Sequence, residues 1–279
     1  MLRWNRCVVK KLAGGRLHRG VNLNSSLCEV FHENTKLTPL SQRTAGTLAA
    51  SFLKSDVMHH LAAGPYKVYS LMDRQELPPV EPRDTVERAI VGRRSRRRYS
   101  RQAVGLGDLA RLLFLTYGRV GRGGGARPIA SGGALYPLEF YVTAVNVAGL
   151  EAGVYHYNVE EHCLDVIRRD DGGTTARLSE IVWLEDIETV ENIGAVIFIA
   201  AFLPRTTVKY GDRGYRLVLI EAGEAVHNLG LLASQMELGC CPLGGFIDNA
   251  LSGYLEIDGV DEVPLVPVVL GRPETDRER

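Results

Sequence analysis

The stretch from Tyr215 to Glu237, YRLVLIEAGEAVHNLGLLASQME, limits the fold more than any other part of this chain. Its apolar residues recur at helical spacing, but they do not keep to one stripe. Leu217, Val218, Leu219, Ile220, Ala225, Leu229 and Leu232 together cover nearly every side of the helix they predict. A helix with no solvated face is buried, either in a core or between subunits. His227 lies on it with no second His, Cys or acid one turn further on, so it reads as a packed residue and not as a metal ligand.

The surrounding segments indicate what covers that helix. Asp84 stands three residues before Glu87, so DTVERAIVGRR reads as a capped helix that delivers arginines at its C-terminal end. Residues 105–118 form a second amphipathic helix. Residues 138–147, 153–158 and 162–167 read as strands, with a short turn between the last two. Residues 194–203 (GAVIFIAAFL) are apolar on both faces and predict a buried central strand, and 264–271 predict a final one. TARLSEIVWLED reads as a helix. Strands and helices mix without a regular βαβ alternation, so the fold class is α+β. The proline-rich LPPVEP, 77–82, is a linker. It divides an N-terminal arm and helical extension (1–80, with helical character at 40–64) from one domain over 81–279.

Acidic and basic side chains balance at 33 each, so the run RRSRRRYSR (93–101), with six arginines and no acid, needs a cause. A nucleic-acid binder carries a basic excess over the whole domain, and here no second basic stripe or aromatic interleaving supports one. Arg93, Ser95 and Arg97 alternate and project from one side of an extended chain. Two guanidiniums and a hydroxyl converging on one point suit a phosphate monoester.

Other features exclude more than they assign. GRGGGA (121–126) fits a dinucleotide fingerprint formally, but a helix precedes it and Arg127-Pro128 follows, so a flexible loop is the better reading. Five cysteines without a Cys-x-x-Cys pair point to no disulfide framework or metal site and to a reducing, cytoplasmic setting. Cys240 and Cys241 read as buried thiols. No uninterrupted apolar run reaches the ~18 residues of a membrane span. Residues 1–28 hold several bases and no acid, and they lack the apolar core of a secretory signal. A loose arm is the simpler reading, and a transit peptide the alternative.

RRSRRRYS resembles the opening flavin-phosphate motif of the nitroreductase superfamily. SGGALYPLEFYV (131–142), GVYHYN (153–158), KYGDRGYR (209–216) and PLGGFIDNAL (242–251) are similar to its SagB-type branch, and FHENTK (31–36) to an element upstream in that branch. The motifs run in order over about two thirds of the chain. That branch comprises FMN-dependent azoline dehydrogenases, which make thiazoles and oxazoles in ribosomally made peptides. The resemblance implies a nitroreductase-like FMN-binding fold with a mixed or antiparallel central sheet flanked by helices. It also implies a homodimer joined through long central helices with FMN where the subunits meet. The partners it implies are a modified precursor peptide, a cyclodehydratase and a leader-binding protein, with no nucleic acid or membrane.

Residue by residue, Arg93, Arg94, Ser95 and Arg97 match the arginine motif, with Arg93, Ser95 and Arg97 at its phosphate and ribityl positions. Ser131, Gly132 and Gly133 match the loop beside the isoalloxazine ring, with Ala130 where the family has proline. Gly244 and Gly245 match a turn against the ring or its tail, and Arg272 a second phosphate contact. Lys209 and Tyr210 match the pair associated with proton removal from the azoline. Two readings compete: an NAD(P)H-dependent, nitroreductase-like flavin reductase, and a flavin-binding scaffold subunit of a synthetase complex.

The purified protein is therefore expected to be yellow and to release FMN, not FAD, on denaturation. Arg97→Ala should weaken FMN binding by roughly 1.5–3 kcal/mol, the scale of a hydrogen bond to a charged group. Fluorescence titration of the apoprotein measures this, and a colourless protein that FMN cannot reconstitute would refute the cofactor.

Overall fold

Strand sequences that are apolar on both faces have to lie inside a sheet, and the computed structural model shows this. It describes residues 26–41, 55–56, 67, 74–121, 125–170, 172–184, 187 and 190–274. The arm at 1–25 and most of the helical character expected at 40–64 lie outside the described residues.

In chain order the elements are α1 (Leu27–Thr35), α2 (Thr85–Gly92), β1 (Val104–Gly105), α3 (Leu106–Tyr117), β2 (Leu138–Ala144), β3 (Val147–Ala148), β4 (Gly153–Asn158) and β5 (Cys163–Arg169). Then come α4 (Thr174–Ile181), β6 (Ala195–Phe202), α5 (Pro204–Tyr210), α6 (Arg213–Gln235), β7 (Gly239–Pro242), α7 (Asp248–Leu255) and β8 (Glu262–Gly271). The main sheet has six strands in the order β5-β4-β2-β6-β8-β7, and every pairing is antiparallel. β1 and β3 make a short parallel pair beside it.

β6 lies mid-sheet, and its alternating side chains serve two cores. Ile197 and Ile199 face Leu112 of α3 and Val218 and Ala225 of α6. Val196 and Phe198 face Leu178 of α4 and Leu251 and Tyr254 of α7. The sheet is thus flanked by helices on both faces. α4 stops at Ile181, short of the predicted 186, because the chain there is captured by another segment. Val182 forms a bridge with Phe246, and Trp183 N donates to Gly245 O at 3.0 Å.

α1 carries the FHENTK element. Ser26 and Glu29 close its N-terminus with a reciprocal capping box. It then docks at the corner between α5 and α6. Cys28 N donates to Asp212 Oδ1 at 3.1 Å, His32 Nδ1 lies 3.0 Å from Tyr215 OH, and Phe31 meets the Tyr215 ring edge-on. Leu37 N donates to Asp248 Oδ2 at 2.8 Å, which ties the same segment to α7.

α6 is long and apolar enough to cross a membrane by length and composition alone. Its buried side nevertheless belongs to the core, through Val218, Ala222, Ala225, Leu229 and Ala233. On the opposite side Ile220 is 60% exposed, Leu219 is 42% exposed, and His227 faces outward beside them. One chain therefore covers only part of the helix.

Candidate active site

Three groups of predicted residues come together along α6, at two different levels. Near its N-terminus the loop after Ser131 meets the end of α5. Gly133 adopts φ +67°, and a Cβ there would lie 2.6 Å from both Lys209 Nζ and Tyr210 OH. Only glycine combines that backbone conformation with so close an approach. The Lys209 ammonium also lies 5.2 Å from the centre of the Tyr210 ring. Both residues lie in the last turn of a short helix. Gly132 packs against Leu217 of α6, and Ser131 Oγ accepts from Tyr136 N at 2.9 Å. Lys209 is exposed in the single chain, so only a covering surface would bury its amine.

A set of charged side chains braces this corner from behind. Arg205, one helical turn before Lys209, donates to Tyr136 O at 2.7 Å and to Glu139 Oε1 at 2.5 Å. Glu139 also meets His156 Nε2 at 3.0 Å. Burial opposes the Glu139 charge, but His156 and Arg205 outweigh it and hold its carboxyl below the usual range. Burial also opposes protonation of His156, and Glu139, Glu262 and Asp165 together raise its pKa in spite of it.

Near the other end of α6 lies the arginine run. Arg93 caps α2 and lays its side chain against Gly230 of α6, and Ser95 pairs with Cys240 of β7. Two small clefts open here, of about 230 and 240 Å³. Arg94 and Arg96 face the first, together with Ser234 and Glu237. Ser95, Arg96, Arg97 and Arg98 face the second. Arg96 borders both, and Arg93 lines neither because its side chain lies against Gly230, so alternation brings together two of the three expected residues, Ser95 and Arg97. A hydroxyl among guanidiniums suits a phosphate group, so Ser95 and Arg97 fit the terminal phosphate of FMN. Burial pushes the Cys240 thiol up to about 12, which leaves it an inert packing group.

The remaining candidates divide. Arg272 donates to Asp108 Oδ2 at 2.7 Å, so its guanidinium is held by a carboxylate. Gly245 lies against Trp183, whose ring occupies the space of a Cβ, and this gives it a packing role. Gly244 is exposed with nothing near its missing Cβ, which leaves its backbone open to a ligand. Arg205, Glu221 and Tyr117 were not singled out from sequence. The acids of α6 were the available signal, because a carboxylate inside an apolar helix requires a buried partner.

The nitroreductase family model matches residues 90–272. A Methanocaldococcus jannaschii protein named as a nitroreductase is 36% identical over 71% of this chain and 95% of its own length. The microcin B17-processing protein McbC of Escherichia coli is 27% identical over 61% of this chain and 62% of its own. Among solved structures, a chain of the E. coli microcin synthetase McbBCD complex, with truncated pro-MccB17 bound, superposes with a TM-score of 0.63. It is 20% identical and covers 91% of this chain and all of that one. At that identity the likeness concerns the fold, which is nitroreductase-like.

The two glycines can be told apart experimentally. Gly245→Ala forces Trp183 aside and should cost about 1–3 kcal/mol of stability, as overpacking does. Gly244→Ala should leave the melting temperature unchanged and weaken FMN retention. Paired thermal melts and flavin titrations measure both, and equal melting temperatures would remove the packing role of Gly245.

Proposed function

Because the chain belongs to the nitroreductase family, we propose that it is an FMN-dependent dehydrogenase that oxidises azoline rings of a ribosomally made peptide to azoles. The observation that carries this reading is the convergence of Lys209 Nζ and Tyr210 OH on the backbone of Gly133. The oxidation removes a hydride from one ring carbon and a proton from its neighbour. Bound FMN would accept the hydride. The chain's own task is then to place the ring beside Gly133 and to take up the proton. Lys209 is the candidate base. Tyr210, whose hydroxyl reaches the same point, would orient the substrate ring or relay the proton. The relationship to McbC, named for processing microcin B17, supports a modified precursor peptide as substrate. A cyclodehydratase and a leader-binding protein are the corresponding partners.

The same geometry favours a homodimer. Leu217, beside Gly132, and Gly230, beside Arg93, are thirteen residues apart on α6, about 20 Å along its axis. That separation along the helix favours sites shared between two copies over one site within a chain. Leu219 and Ile220, exposed on the same helix, are the surface we assign to the second copy.

The nitroreductase name of the M. jannaschii relative favours a second reading, an NAD(P)H-dependent reductase. Azoline oxidation by the wild type separates the two, and Lys209→Ala tests the base. It should keep its FMN and lose azoline oxidation by about 10²-fold or more, the usual worth of a positioned base. Tyr210→Phe should lose only part of the rate. The assay is a mass loss of about 2 Da per ring on a cyclodehydrated peptide. An unchanged rate would place the base elsewhere. Sedimentation should show a dimer that Ile220→Glu converts to monomers with loss of flavin. A flavin-loaded wild-type monomer would overturn the composite site.

A further inference from the structure

Glu221 lies on α6 one turn after Leu217 and is only 2% exposed. Nothing in the proposed chemistry uses it. A carboxylate so deeply buried needs hydrogen-bond donors, and the donors here are fixed by their own neighbours.

Leu138 N donates to Tyr117 OH at 3.0 Å, and Tyr117 OH lies 2.7 Å from Glu221 Oε1. A hydroxyl has one hydrogen, and its lone pair here is engaged by the Leu138 amide, so the Tyr117 proton points at Glu221. A relay that starts at the Leu138 N–H therefore ends on this carboxylate. Tyr136 N donates to Ser131 Oγ within the same loop. One turn along α6, Glu224 Oε2 accepts from Ala130 N at 3.1 Å. Arg127 closes the set. It donates to Tyr117 O at 2.8 Å and lies over the Tyr117 and Tyr136 rings at 4.7 and 5.2 Å.

We infer that Glu221 is a positioning residue that fixes the 130–138 loop to α6 and so sets where the Gly133 backbone stands relative to Lys209 and Tyr210. This rests on the proposed role of residues 131–133 beside the ring. The geometry places a carboxylate acceptor opposite the Tyr117 hydroxyl proton. Burial and the neighbouring Glu224 raise the Glu221 pKa against the Ser131 and Tyr117 hydroxyls and Arg127. A glutamine has the same shape but a weaker acceptor, and its amide N–H₂ competes for the position facing Tyr117, so the relay is weakened.

The test is peptide-level hydrogen exchange on the flavin-loaded protein, with Glu221→Gln compared with wild type. Exchange over 130–138 should accelerate by about tenfold or more, while β6 and β8 keep their protection. The visible circular dichroism of the flavin should change with it. With a cyclodehydrated peptide, kcat should fall about tenfold with KM unchanged, because substrate contacts remain. Tyr117→Phe added to Glu221→Gln should accelerate exchange at Leu138 by less than it does in the wild-type background, since both changes break the same relay. Should Glu221→Gln not fold, Tyr117→Phe cuts that relay alone and should loosen the loop.

Unchanged protection over 130–138, uniform loosening of the whole sheet, or additive effects in the double variant would each overturn the assignment. If the wild type oxidises no azoline while the loop still responds as stated, the functional reading fails and the positioning role stands.

Discussion

The interaction on which this structure depends is the burial of α6. This 23-residue helix buries one side in the core, and its neighbours there are the parts that matter for the proposed chemistry. The sheet face of β2, β6 and β8 covers one side, and α3 packs beside it. Gly132 lies on Leu217, the Tyr117 hydroxyl ends on Glu221, and the Arg93 side chain crosses Gly230. Each of these contacts is local, yet all three are referred to one rigid axis. The placement of the ring-side loop relative to the arginine run is therefore a property of helix geometry and not of the loops that carry the residues.

The helix also bears on the proposed dimer. The core holds Val218, Ala222, Ala225, Leu229 and Ala233, while Leu219 and Ile220 are left facing out. That exposed apolar pair is the surface on which the proposed second copy would rest.

Much of the fold could be read from the residues. The strand at 153–158 has the predicted bounds, and the predicted strand at 194–203 is shortened by one residue at each end. Alternation and apolar runs are local signals, and these strands have both. β7 was not legible, because Gly-Cys-Cys-Pro has no alternation and is a strand only through its pairing with β8. α5 and α7 are too short for periodicity to separate them from turns. At the site, the glycines and the Lys209-Tyr210 pair were readable as types at a spacing, and their convergence was not. Trp183 against Gly245 and Asp108 against Arg272 are contacts across 62 and 164 residues, beyond the reach of any sequence pattern. Those two contacts give Gly245 and Arg272 structural partners in addition to the ligand roles expected of them.

Arg205 holds the last word on how the corner behaves. Its guanidinium joins the Tyr136 carbonyl to Glu139 of β2, and its backbone belongs to the same short helix as Lys209. The proposed base and the loop it faces are thereby fastened to one another and to the same strand. Loss of the Arg205 guanidinium would therefore release both sides of the corner at once, although it touches neither Gly133 nor the Lys209 amine.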